Sequence, residues 1–392
     1  MDFDLQRARQ ETPGCQNVIH FNNAGAALMP QTVFEATVQY LQLETQIGGY
    51  EAAQSQRTVI ERVYSAIAEL ISCRPQEIAI MENATRAWDM AFYSLNFKLG
   101  DRIITARAEY ASNYIAFLQI ARRTGVEIVV IPNDESGQLS LSALENAIDK
   151  RVKLIAITHV PTNGGLVNPA VTVGKIARQA EVLYLLDACQ SVGQMPINVN
   201  LIGCDFLSAT GRKFLRGPRG TGFLYIRHDL IEQLEPPFLD LHAAEWISTN
   251  DYQIRNDARR FENWETNYAG KVGLGVAVDY ALQWGLSNIQ TRINILAQRL
   301  RAQLEAIAGV IVQDLGKQLC GIISFTVEGK DSLYIQQALA KYQINVSISS
   351  LSSTRLDMEA RGYQNLIRAS VHYYNNQEEV DYFCTTLASL VT

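Results

Sequence analysis

The sequence predicts an α/β protein: a large domain around a mostly parallel sheet, followed by a small C-terminal α/β domain. Three observations carry this expectation. Short Val- and Ile-rich runs alternate with helical patterns from about residue 58 to 228, polar residues close most of those runs, and the texture changes past Tyr268. At 392 residues the chain also exceeds one ordinary core and has room for a deep site.

Taken in order, strands are expected at 102–105, 126–131, 152–158, 182–186, 206–208 and 222–226. Their alternation with helices reads as repeated βαβ units. In such sheets ligands sit beyond the carboxyl ends of the strands, so the polar residues that follow each run are the candidates for chemistry. Past Tyr268, a long amphipathic stretch at 272–308 reads as a connecting helix. Strands near 310–314, 321–327, 345–348 and 366–370, with helices at 332–342 and 376–390, complete the second unit. The domain boundaries expected from this are 16–268 for the large domain, and 1–15 with 269–392 for the small one.

Composition narrows the function classes. Apolar residues make up 47% and charged residues 19% of the chain, as in a folded enzyme without low-complexity segments. The longest apolar runs are strand-sized, which argues against a membrane anchor. The opening MDFDLQRARQETPG is polar and mixed in charge, unlike a signal or transit peptide. With a net charge of -6 and no basic run longer than Arg259-Arg260, nucleic acid is not an expected partner. Six scattered cysteines form no CxxC pair, which argues against a zinc site and a disulfide framework and fits a cytoplasmic location.

The segment 182–225 holds the densest chemistry. One apolar strand ends in Asp187; another, at 206–208, runs into Thr210-Gly211-Arg212-Lys213 and a Gly- and Pro-rich loop. If the two strands are parallel neighbours, Asp187 and Lys213 emerge at one rim. A buried lysine there can form a Schiff base with an aldehyde cofactor, while the carboxylate holds a pyridine nitrogen protonated. By themselves the two residues are better read as a helix cap and a solvated loop cation, since such pairs are common.

The surroundings add a resemblance. D-A-C-Q-S-V-G-Q at 187–194, then C-D-F, then T-G-R-K-F-L-R-G-P-R-G-T-G-F-L-Y at 210–225, resemble the pyridoxal 5'-phosphate (PLP) signature of the class V aminotransferase and cysteine desulfurase family. Further matches are F-N-N-A-G at 21–25, E-N-A-T at 82–85, T-H-V-P-T-N-G-G-L-V-N-P at 158–169, R-F-E-N-W-E-T-N at 260–267 and R-A-S-V-H-Y-Y-N at 368–375.

The resemblance implies the fold type I arrangement, with a mostly parallel seven-stranded sheet, and a homodimer. It makes Lys213 the cofactor lysine and general base, Asp187 the partner of the pyridinium nitrogen and Gln190 the donor to the ring hydroxyl. Tyr110 falls where relatives place a stacking histidine; a tyrosine can stack but not act as the same acid-base group near neutral pH. Ala84, Thr85 and Arg86 open an expected helix whose N-terminus suits a phosphate, with Thr210 and Arg212 closing the cup. Thr266 is implied to reach in from the neighbouring subunit, although its offset from Glu262 is one residue longer than in desulfurases. Arg368 matches the arginine that grips the substrate α-carboxylate, with Arg355 as a second candidate. Asn23 and Thr162 are expected to face the substrate, His159 to be structural, and Tyr50 and the 349–355 loop to shape specificity. No metal is implied.

Desulfurases carry a cysteine nucleophile on the loop ahead of R-A-S. Here that loop, V-S-I-S-S-L-S-S-T-R-L-D-M-E at 346–359, has serines and no cysteine, so persulfide formation lacks its thiol. Cys189 and Cys320 read as packed small residues. The resulting expectation is β-elimination from a cysteine derivative, a C–S lyase reaction. The alternatives are an aminotransferase, an epimerase resembling isopenicillin N epimerase, and a PLP-fold scaffold without catalysis; the joint presence of Lys213, Asp187, Gln190 and Arg368 speaks against the scaffold.

Overall fold

A computed structural model describes residues 3–391 of the chain. Its centre is a seven-stranded sheet of β1 (Ile78–Met81), β2 (Arg102–Ala106), β3 (Glu127–Ile131), β4 (Val152–Thr158), β5 (Leu183–Asp187), β6 (Phe206–Thr210) and β7 (Gly222–Ile226). The spatial order is β1–β7–β6–β5–β4–β2–β3. Strands β2 to β6 are parallel, and β7 is antiparallel to both its neighbours. The sheet is thus mostly parallel, as the sequence predicts.

Side chains alternate between two buried faces, as the two-residue period of a strand requires. Tyr184, Leu186, Leu207 and Ala209 join one core, whereas Leu185 and Phe206 pack with Trp88 and Phe117 in the other. Asp187 has the parity of Leu185, so it points toward the helix Ala111–Thr124 that carries Phe117.

Several elements depart from the sequence reading. β1 was not expected: it has four residues, follows directly on the Pro75–Glu77 turn, and is too short to show a period. The expected long helix is two, Tyr268–Trp284 and Leu286–Glu305, parted by Gly285 at φ +77. That left-handed value favours glycine, and the Gly285 amide caps the first helix on the carbonyls of Ala281 and Leu282. The first helix packs on the helices Gln31–Ile47 and Arg57–Ile71.

The second sheet is antiparallel, in the order Val310–Val312, Ile322–Val327, Asn365–Ser370, Ser347–Ser350. A short parallel pair, Ile19–His20 with Ile344–Asn345, ties the N-terminal segment to this unit. A hairpin, Ala244–Ser248 with Asp251–Ile254, carries exposed Trp246 and Tyr252; nothing in the sequence reading anticipated it.

The loop after β6 is held from several sides. Arg216 is 1% exposed and donates to the Leu28 carbonyl at 2.8 Å, Tyr373 Oη at 2.5 Å and Thr12 Oγ1 at 2.5 Å. Its guanidinium also lies 4.6 Å from the Tyr374 ring centroid. Gly193, at φ +92, lets the loop after β5 run against this one: a Cβ there would lie 2.4 Å from the Phe214 carbonyl carbon. We therefore expect Gly193→Ala to destabilise the protein by about 2 kcal/mol or more, from strain plus displacement. Equilibrium denaturation checks this, and a variant as stable as the parent would refute the packing role.

Candidate active site

At the carboxyl ends of β4, β5 and β6 the register places Thr158 beside Asp187 and Asp187 beside Ser208. A cavity of about 450 Å³ opens there, lined by Asn83, Ala84, Thr85, Tyr110, Thr158, Val160, Thr162, Asp187, Cys189, Gln190, Thr210, Arg212 and Lys213. Residues that are scattered over 131 positions of sequence thus share one wall, because successive parallel strands deliver their ends to the same rim.

Lys213 follows β6 by three residues. Burial, reinforced by the nearby charges of Arg212 and Arg368, holds its ammonium below the usual lysine range, although Cys189 and Asp187 act in the opposite direction. Asp187 accepts hydrogen bonds from Asn113 Nδ2 at 2.9 Å and from the Cys189 amide at 2.9 Å. Burial pushes the Cys189 thiol far up, and the Asp187 carboxylate adds to that, so it is not a thiolate near neutral pH.

Gln190 donates to the Ala24 carbonyl at 3.1 Å and Thr162 Oγ1 at 3.3 Å, while its own Oε1 is buried without a partner. Arg368 donates through Nη1 to the Thr162 carbonyl at 2.9 Å and Oγ1 at 2.6 Å, and its Nε is likewise unsatisfied. Burial first, and Arg212 second, lower the Arg368 guanidinium to about 10.

Helix Ala84–Tyr93 begins at this rim. Asn83 caps it by accepting from the Arg86 amide at 2.9 Å, which leaves the first amides of the helix without intrahelical acceptors. Gly222 permits the approach of β7, since a Cβ there would lie 3.0 Å from the Ala84 nitrogen.

These groups fit PLP. Buried polar atoms without partners are costly, and here Gln190 Oε1 and Arg368 Nε line or adjoin a cavity that also offers an amine, a carboxylate and a helix N-terminus. Lys213 would hold the aldehyde, Asp187 the ring nitrogen, and Ala84, Thr85 and Thr210 the phosphate.

Of the expected site residues, Asn23, Arg86, Thr266, Arg355 and Arg368 are not in the cavity wall, Arg368 meeting it through Thr162. Asn23 is fully buried, with Nδ2 on the His20 and Ser370 carbonyls and Oδ1 accepting from Tyr374; it is a structural tie with no atom left for a substrate. Arg355 is exposed and paired with Glu359 at 2.5 Å on its own helix. Arg86 is drawn over the Phe238 ring, 4.7 Å from its centroid, and its side chain is not part of the cavity wall. Thr266 does not line this chain's cavity either. His159 is buried, and burial lowers its imidazole to about 4.

Two residues escaped the sequence reading. Asn113 positions Asp187, and Glu109 holds Asn113 at 2.8 Å while accepting from the hydroxyls of Thr105 at 3.0 Å and Thr158 at 2.6 Å and from the amides of Tyr110 and Thr158. Glu109 precedes the helix that carries Asn113, so no helical spacing marks the pair in the sequence. Burial raises the Glu109 carboxyl to about 7 against these donors.

The aminotransferase class-V family model matches residues 19–383. Among curated proteins, the chain is 31% identical to a probable cysteine desulfurase of Xylella fastidiosa, over 98% of this chain and 95% of the relative. It is 28% identical to one of Methanothermobacter thermautotrophicus over 97% of both. Among solved structures, an apo cysteine desulfurase from Thermococcus onnurineus superimposes with a TM-score of 0.93 at 29% identity, covering 100% of this chain and 98% of the other. The cystine C–S lyase C-DES shares the fold, with a TM-score of 0.87 at 24% identity over 96% and 99% of the two chains.

Two outcomes follow for the Glu109 relay. Asn113→Ala should weaken PLP binding to the cofactor-free protein by about tenfold, the loss of one hydrogen bond to a charged group; fluorescence titration measures it, and unchanged affinity would show that Asp187 needs no such support. An exposed glutamate titrates near 4.3, so between about pH 4.5 and 7 the folded chain holds a proton that the unfolded chain has lost. Stability from Glu109 is therefore full below that window and falls as pH rises through it. Glu109→Gln should flatten that slope in denaturation curves of the cofactor-free protein.

Proposed function

The chain belongs to the aminotransferase class-V family, and we propose that it is a PLP-dependent C–S lyase that releases sulfur from a cysteine derivative by β-elimination. The observation that carries the reading is the junction of Lys213 and Asp187 in one cavity wall that also holds Thr162, the hydrogen-bond partner of Arg368, combined with a 346–359 segment that contains no cysteine. Relatives named cysteine desulfurase support a sulfur-bearing amino acid as the substrate. Lack of the loop thiol supports departure of the sulfur without transfer to the protein.

When bound, PLP supplies an electron sink next to the substrate Cα. Arg368 holds the α-carboxylate with its fork and orients the amino acid. Lys213 Nζ, made less basic by burial and by the neighbouring guanidinium groups, takes the Cα proton and can return it to the departing atom. Asp187, fixed by Asn113 and the Cys189 amide, would hold the ring nitrogen. Tyr110 supplies a wall against which the ring can stack. The net reaction would convert a cysteine S-conjugate and water into a thiol, pyruvate and ammonium.

The same reading includes a cytoplasmic homodimer in which Thr266 of each subunit completes the phosphate cup of the other. It is supported by the exposed Phe34 and Leu41, seven residues apart on the helix Gln31–Ile47, and by the exposed Trp264 two residues before Thr266. We also assign 16–268 to a PLP-binding domain, with 1–15 and 269–392 as the smaller one. Among the described residues, no helix is long and apolar enough to cross a membrane and no three-residue metal cluster is present.

Borohydride reduction should fix a pyridoxyl group on the peptide containing Lys213. Lys213→Ala should lose the visible imine absorbance and at least about 1,000-fold in kcat. Pyruvate release from cysteine S-conjugates tests the reaction itself: Cα proton exchange without pyruvate from any of them would replace the lyase by an epimerase. Sedimentation should give a dimer, and an active monomer would contradict the shared site.

A further inference from the structure

One buried carboxylate outside the cavity has no part in the chemistry above. Glu262 is 3% exposed and is not in the cavity wall. Its Oε1 accepts from the Ile80 amide at 2.7 Å, while its Oε2 accepts from Tyr64 Oη at 2.9 Å and meets His242 Nε2 at 3.2 Å. Lys271, 5% exposed, places Nζ 3.6 Å from the same Oε2 and donates to Tyr64 Oη at 3.0 Å. A charge taken out of water is costly unless it is paired and hydrogen-bonded in this way, and a network so closed fixes the elements that supply its members.

The contact with Ile80 leads to the phosphate cup. β1 is 4 residues long and lies at the edge of the sheet, beside β7. Such a strand has one row of amides and carbonyls without a strand to bond, and on that side Glu262 takes the amide of Ile80. β1 ends at Met81; Asn83, which caps the helix Ala84–Tyr93, follows two residues later. The positions of the Ala84 and Thr85 amides therefore depend on where β1 lies. β7 sets its inner side, pairing Gly222 with Met81, and Glu262 holds its outer side. Glu262 also opens the segment that carries Thr266, which is fixed further on by the Trp264 amide on Asp240 Oδ2 at 2.7 Å and by Asn267 Oδ1, which accepts from the Gly270 amide at 2.8 Å.

We propose that Glu262 is a positioning residue for the cofactor phosphate: acting through Ile80 and β1, it fixes the helix start whose amides bind that phosphate. The inference rests on the reading of Ala84, Thr85 and Thr210 as the phosphate cup, and it needs no contact between Glu262 and PLP. Backbone donors at a helix N-terminus hold an anion to the extent that they are placed before it arrives. Glutamine would keep the shape of the side chain and lose this function. One end becomes an amide nitrogen that only donates, and it would face either the Ile80 amide or the donors from Tyr64 and Lys271.

The test compares PLP with pyridoxal, which has the same ring and aldehyde but no phosphate, by fluorescence titration of the cofactor-free full-length protein. The parent should bind PLP at least about 100-fold more tightly, the worth of two charge-assisted contacts. Glu262→Gln should cut that ratio about tenfold and leave the affinity for pyridoxal unchanged. Glu262→Gln/Lys271→Met removes both buried charges, so it avoids the instability of an unpaired lysine; it should show the same reduced ratio. Equal weakening of both ligands in Glu262→Gln, or a parental ratio in the double variant, would confine Glu262 to folding and overturn the proposal. A parent that binds the two ligands equally would overturn the cup reading, and this inference with it. The Thr266→Val background separates the two routes to the phosphate: Glu262→Gln should lower the ratio further there, whereas no further loss would mean action through the Thr266 segment alone and would overturn the route through β1.

Discussion

The register between β5 and β6 is the constraint on which the site depends. Asp187 faces its cofactor-side partners only because it stands opposite Ser208 in a parallel pair. A slip of one residue would turn every side chain of β5 to the other face, carrying Asp187 away from Asn113. The loop that follows β6 converts this register into a position for Lys213. Gly211 bonds the Thr221 carbonyl at 2.9 Å, Arg216 bonds back to Lys213 at 2.9 Å, and His372 from the second unit meets the Phe214 carbonyl at 3.0 Å. The lysine is therefore placed by the sheet, by its own loop and by the C-terminal unit together.

Legibility in the sequence followed how local each determinant is. β4 and β7 have the expected ends because their apolar runs stop where the ladders stop. β5 and β6 continue to Asp187 and Thr210, since polar residues that end an apolar run can still pair with a neighbouring strand. β1 gave no signal because only its place beside β7 makes it a strand. Within the site, Lys213, Asp187, Gln190 and Thr162 come from motif segments and are in the cavity wall. Asn23 was misjudged because sequence cannot say which of two adjacent asparagines turns inward: Asn22 reaches Arg368, while Asn23 is consumed by Ser370, His20 and Tyr374. Glu109 and Asn113 matter through partners on other strands, Thr158 and Asp187, which no local pattern announces.

Charge organises the cavity into two sides. Asp187 and Glu109 form the acidic side, with the Asn113 amide inserted so that it donates to both carboxylates. Such an amide keeps the two carboxyl groups apart in a dry setting, where any repulsion between them is least screened. The elevated titration of Glu109 is mainly the effect of burial, with Asp187 contributing. Lys213, Arg212 and Arg368 form the cationic side, each displaced downward chiefly by burial. A cofactor that brings a phosphate and a protonated ring nitrogen satisfies both sides at once, and an amino acid brings one carboxylate more.

The segment 346–359 shows why loss of a thiol has structural company. It contains five serines and no cysteine. Ser349 is 2% exposed on the second sheet, and Asp357 on the following short helix accepts from Asn163 at 2.7 Å and from Arg361 at 3.2 Å. Through Asn163, this segment is fastened to the 158–169 loop that carries Thr162, and Thr162 in turn holds Arg368. A segment required to carry sulfur away must reach the substrate and then withdraw. One that serves only to brace the α-carboxylate arginine gains from being tied down, and its bonds are of the second kind. Sulfur released in this cavity therefore has no cysteine thiol on that segment to receive it.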